Sequence, residues 1–188
     1  MLRGLFTSRK KKPVDSENAD PTIQSAEMGD TLVINGFSSP LEDSYLSVEK
    51  VTEYQGSSGY WHELVCVEND IRTSIEFSQE DGLFITATDQ GSPLSIDAIG
   101  ITEETLTRMD EEHSRSNSFL HDGIEYVYSN SYEACVKGKT YEETGFYIWE
   151  FSSDNGQNLL SVIKSAGVPF EVYTPRILNT EDISVYKQ

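Results

Sequence analysis

The chain has 188 residues, 37% of them apolar and 24% charged, with ten Tyr, eight Phe and two Trp. That aromatic supply belongs to a folded chain and argues against the disordered class. Formal net charge is -18, and because Arg3, Arg9, Lys10, Lys11 and Lys12 lie in the first twelve residues, the remainder carries about -23; such a body repels phosphate backbones and excludes nucleic acid as the main partner.

No window approaches eighteen consecutive apolar residues, and MLRGLF is too short for a signal-peptide core. The expected compartment is the cytoplasm, with contact at the inner face of the membrane as a variant. Cys66 and Cys135 both sit in strand-like runs and read as reduced thiols.

Residues 1 to 27 read as a flexible basic arm. Two roles fit it: a solubilising terminus, or a weak and reversible membrane contact. In the second, Leu2, Leu5 and Phe6 insert while Arg3, Arg9, Lys10, Lys11 and Lys12 pair with lipid headgroups.

Order is expected from Met28-Gly29-Asp30. Thr31 to Ile34 predicts a short strand, with Asn35-Gly36 as a tight hairpin turn. Tyr45 to Tyr54 alternates with period two, with a bulge expected near Lys50 or Val51. After a turn over Gln55 to Gly59, Tyr60 to Val67 is the strongest strand of the first half. Asn69-Asp70 turns it back into Ile71 to Phe77, and a turn over Ser78 to Gly82 leads to Leu83 to Thr88. Gln90-Gly91-Ser92-Pro93 breaks the pattern, and Leu94 to Ile101 predicts one more strand. Thr102 to Ser118 reads as a short surface helix or linker, with Leu106 and Met109 as its one apolar step.

A second series follows. Phe119 to Tyr128 turns at His121-Asp122-Gly123, and Tyr132 to Val136, Phe146 to Phe151, Asn158 to Lys164 and Val168 to Tyr173 are strand-like. Ile177 to Tyr186 ends in an edge strand, ISVY. The two series match: Gly59 to Phe77, shifted by 87 residues, lies over Phe146 to Lys164 without a gap, placing Glu63 on Glu150, Leu64 on Phe151 and Ile75 on Val162. The fold class is therefore all-β, a duplicated antiparallel β-meander forming one sandwich or barrel-like domain. The copies span about 29 to 101 and 116 to 188, within a single domain over 28 to 188.

Met28-Gly29-Asp30, Trp61-His62-Glu63-Leu64, Trp149-Glu150-Phe151, Leu160-Ser161-Val162 and Phe170-Glu171-Val172-Tyr173 together resemble the bacterial family catalogued as domain of unknown function 4178. The resemblance spans roughly Gly29 to Tyr173 and implies a cytosolic β-rich module without an assigned reaction. Members are often encoded near genes for envelope-stress coat proteins, small membrane proteins and polyamine-synthase-like enzymes, which implies an accessory part of a membrane-associated stress system. Leu64 and Phe151 stand where the family often has Tyr, so no role for an aromatic hydroxyl carries over.

The motifs name no catalytic residue, cofactor or metal set. Neither CxxC nor HExxH occurs among Cys66, Cys135, His62, His113 and His121, and no Gly-rich phosphate cradle precedes a helix. The residues singled out for an interaction surface or a pocket are Trp61, Glu63, Tyr147, Trp149 and Glu150. Glu63 and Glu150 read either as paired carboxylates or as partners of Arg72 and Lys164 across hairpins. Two functions follow: a non-enzymatic protein-interaction module with a protein partner or an oligomer seam, or a small-ligand binder or enzyme with a pocket between the two copies.

Overall fold

Alternation of apolar and polar residues builds the strands that make up just over half of the described residues, seen here in a computed structural model that describes residues 21–57, 59–78, 82–91 and 93–188. The first series comprises β1 (Thr31–Ser39), β2 (Glu42–Gly56), β3 (Gly59–Glu68), β4 (Ile71–Ser78) and β5 (Phe84–Asp89). A helix, α1 (Glu103–Glu112), leads to β6 (Ser118–His121), β7 (Ile124–Val136), a one-turn helix α2 (Tyr141–Thr144), β8 (Phe146–Ser152), β9 (Leu159–Ser165) and β10 (Glu171–Tyr173). The short strands β11 (Arg176–Leu178) and β12 (Ile183–Tyr186) end the fold. The protein is mostly β, with one large antiparallel sheet in the order β10-β9-β8-β7-β2-β3-β4-β5-β11. On β2 the edge not used by β3 is shared: β1 pairs with its first half and β7 with its end.

The second strand of each series, β2 and β7, is long and carries one extra residue. Val48 faces Cys66 and Lys50 faces Val65, so Glu49 is the bulge expected near Lys50. Likewise Tyr128 faces Phe151 and Asn130 faces Glu150, leaving Ser129 over. Two residues before the bulge partner, Leu64 pairs with Ile75 and Trp149 with Val162. The gap-free match of Ile75 to Val162 therefore holds in β4 and β9 but slips by two residues in β3 and β8. The cause is turn length: Asn69-Asp70 is a two-residue turn with φ of 51° and 66°, while a longer loop separates β8 from β9. A slip of two keeps every side chain on its face.

Several expectations are corrected. Asn35-Gly36 makes no hairpin; β1 runs on to Ser39, and the positive φ of Gly36 (66°) serves a break in register between Asn35 and Ser39. Leu94 to Ile101 is not a strand: Leu94 forms one isolated bridge, and Ile96–Ile99 is a 3-10 turn capped by the Ser95 hydroxyl, which accepts from the Ala98 N–H at 3.3 Å. Order also begins before Met28, since Ile23 and Ala26 are buried in the first core.

The series keep separate cores. The first is aliphatic, built from Leu32, Ile34, Leu46, Val48, Leu64, Ile75, Ile85 and their neighbours, with Cys66 among them. The second is aromatic, with Tyr126, Tyr128, Trp149 and Phe151 packed beneath Leu106 and Met109 of α1. That helix is thus a core element rather than a surface linker. Its N-cap is Thr102, whose hydroxyl accepts from the Thr105 N–H at 3.2 Å. Both cysteines are free and buried.

Two strands far apart in the sheet wall a common space. β5 and β9 are six places apart, about 29 Å across a flat sheet at ~4.8 Å per strand, yet Phe84 and Thr86 line the same cleft as Ser161 and Ile163. The sheet folds over at the β2–β7 junction, where Gly56 pairs with Ala134. A Cβ on Gly56 would meet the Tyr132 ring at 3.1 Å and the Glu133 carbonyl at 3.2 Å, so this approach needs glycine. At the far side Leu94 bridges Val172 (N–H to O 2.9 and 3.1 Å), and Thr174-Pro175 alone separates β10 from β11. Those two residues can span only about 11 Å. The sheet approaches a ring without closing into a barrel.

Candidate functional site

Strand periodicity decides which side chains reach the cleft. On β3, Leu64 and Cys66 enter the first core, so Trp61 and Glu63 face the other way, into the cleft. On β4 the same face carries Ser74 and Glu76; on β8 it carries Phe146, Ile148 and Glu150; on β9, Ser161 and Ile163. The space between these walls measures about 670 Å³, within the range of small-molecule sites.

Aromatic rings fill its inner corner. Tyr54 and Trp61 stack at 5.2 Å between centroids with 23° between planes. Phe146 stands edge-on to both, at 5.5 and 6.5 Å, and Tyr132 edge-on to Trp61 at 6.2 Å. All four come from strands meeting at the β2–β7 junction, so the fold-over that requires Gly56 also assembles the rings.

Three half-buried carboxylates project beside them. Glu63 accepts hydrogen bonds from the Tyr54 hydroxyl at 2.9 Å, the Ser74 hydroxyl at 2.6 Å and the Gln90 amide at 3.4 Å. Glu150, on the opposite wall, accepts from the Tyr132 hydroxyl at 2.9 Å. Glu76 lies directly across the β3–β4 ladder from Glu63, a like-charge pairing that ordinarily destabilises a sheet. Burial pushes the Glu76 carboxyl up to about 7, aided by the charges of Glu63 beside it and Glu150 across the cleft, against a hydrogen bond from Trp61. Burial also raises Glu150, with the Tyr132 hydroxyl pulling it back. The Tyr54 hydroxyl is raised by burial and by Glu63. These donors are neutral: they hold the carboxylates in place without cancelling their charge.

Of the residues singled out in the sequence, Trp61, Glu63 and Glu150 come together in the cleft. Tyr147 and Trp149 do not. They alternate with Ile148 and Glu150 and so enter the second core, Trp149 at 8% exposure and Tyr147 with its hydroxyl 2.5 Å from Asp110. Nor do Arg72 and Lys164 partner the two glutamates: Arg72 faces Val67 and pairs with Glu49 at 3.3 Å, and Lys164 faces Tyr147 and donates to the Val168 carbonyl. Glu63 faces Glu76, and Glu150 faces Ser161. The membrane-contact candidates Leu2, Arg3, Leu5, Phe6, Arg9, Lys10, Lys11 and Lys12 lie outside the described residues. Sequence reasoning missed Glu76, Tyr54 and Tyr132. The signal for Glu76 was present, since a two-residue turn at Asn69-Asp70 fixes Glu63 opposite Glu76.

Among the described residues, no group of three or more His, Cys, Asp and Glu is placed to hold a metal ion, and no helix is long and apolar enough to cross a membrane. No family model, curated protein or solved structure matches the chain.

Proposed function

We propose that this chain is a small-ligand-binding module that holds its ligand in the cleft between the two series. One observation carries the reading: an open cleft of about 670 Å³ whose walls bring aromatic rings and carboxylates from both halves to one place. Of the two functions expected from the sequence, this is the second, without its enzymatic branch. The interaction-surface reading drew on outward-facing aromatics, and Tyr147 and Trp149 are packed inward while Trp61 lines the cleft. Among the described residues, none lining the cleft is a histidine, and the Ser74 hydroxyl is held by Glu63 at 2.6 Å rather than by an imidazole.

The test is extraction. Protein purified from its native cells is denatured, and the released small molecules are compared by mass spectrometry with those from Ser161→Trp, which fills the cleft from the β9 wall. A molecule released stoichiometrically by the native chain and absent from the folded variant supports the reading; no release, or equal release from both, contradicts it.

A further inference from the structure

We infer that the cleft's ligand is an organic cation, a protonated amine or quaternary ammonium whose charge lies against Glu63 and Glu76 and whose carbon skeleton lies on the Trp61 and Tyr54 rings. This rests on the binding reading above and adds to it the chemical class of the ligand.

Charge is the first ground. Three carboxylates face the cleft, while none of the described residues lining it is Lys, Arg or His. Lys137, over the Tyr60 ring at 5.1 Å, is already held by Glu53 at 2.6 Å. An anion entering would meet Glu63 and Glu150 with no cation to offset them. A cation would relieve the repulsion that Glu63 and Glu76 exert on each other across the β3–β4 ladder.

Shape is the second ground. The carboxylates stand on two walls and do not converge as metal ligands do, so the site suits a charge spread over, or attached to, a carbon skeleton. Stacked and edge-on rings beside the carboxylates give the faces that attract ammonium groups.

The sequence has two tryptophans, Trp61 in the cleft and Trp149 in the second core, so each indole N–H resonance reports one place. The full chain, 15N-labelled and assigned with Trp149→Phe, is titrated with pentylammonium, with tetraethylammonium and with pentanoate. The expected result is a saturable shift of the Trp61 resonance with the cations, none with pentanoate, and a still Trp149 resonance. Glu63→Gln should weaken cation binding about tenfold or more while the dispersed amide spectrum shows it folded. A Trp61 response to pentanoate equal to that for the cations, or no response to either cation, overturns the inference. If a small molecule is nonetheless released in the extraction experiment, the cleft still binds a ligand and only the cation class falls; if none is released, both readings fall.

Discussion

The two series share a plan and differ in how they treat the cleft. In both, the second strand is long and bulged and leads into a meander with a core on one face. In the first, the cleft side of the central ladder sets Glu63 against Glu76; in the second, the corresponding wall sets Glu150 against Ser161. The first core is aliphatic and the second aromatic, with α1 held down by a polar chain in which Asp110 accepts from Ser131 and Tyr147, and Tyr128 links Ser131 to His113 at 2.6 and 2.9 Å. One wall therefore carries a built-in electrostatic penalty, and the other is a more ordinary sheet face. A feature that destabilises the empty protein and is confined to a cavity wall points to a ligand.

The largest expected effects come from the separate cores. Phe151→Ala should cost about 4 kcal/mol and Leu64→Ala about 3 kcal/mol, measured by urea denaturation. Because the residues sit in different clusters, the double variant should add to within ~0.5 kcal/mol. Strong coupling would show that the halves do not pack independently.

Glu76→Gln should act in the opposite direction. The folded carboxyl is raised to about 7 from a value of 4.5, so the folded state holds a proton that the unfolded state releases, and stability falls as pH rises between those values. Above pH 7 the lost stability amounts to at most about 3 kcal/mol. The variant should be more stable than the native chain at pH 8, converge with it towards pH 4.5, and lack that slope. Glu150→Gln should change stability in the same direction by less, because burial alone raises Glu150 and the Tyr132 hydroxyl opposes it. Equal effects would remove the asymmetry between the walls.

Smaller again is the anchor of α1. Ser131→Ala breaks its bonds to Asp110 and Tyr128 and should cost about 1–2 kcal/mol, seen as earlier exchange of α1 amides with no change in the Trp61 resonance. Gly56→Ala tests the junction instead: its Cβ meets the Tyr132 ring, so a loss of about 1–3 kcal/mol should come with a displaced Trp61 resonance.

Most strands were legible because period-two alternation and the Asn69-Asp70 and Asp122-Gly123 turns are local signals. The face of each side chain followed, since adjacent residues on a strand diverge; on that ground Trp149 and Glu150 could not have shared one site. What local pattern did not carry was length and closure. Nothing in Asn35-Gly36 distinguishes a hairpin from a register break within a continuing strand. Leu94 forms a bridge because Val172, far away in sequence, lies across the seam. The aromatic corner of the cleft escaped notice for the same reason: Tyr54, Tyr132 and Phe146 meet only where the sheet folds over at Gly56. Glu76 was within reach, as its pairing with Glu63 depends on nothing beyond the two-residue turn.

The most direct test is to follow the side-chain carboxyl carbons of Glu63, Glu76 and Glu150 by NMR across pH 4 to 9, with and without tetraethylammonium. The account predicts that Glu76 titrates near 7 in the empty protein and at a lower pH once the cation is bound, with Glu76→Gln removing that titration. A Glu76 that titrates in the ordinary carboxylate range, unmoved by the cation, would contradict it.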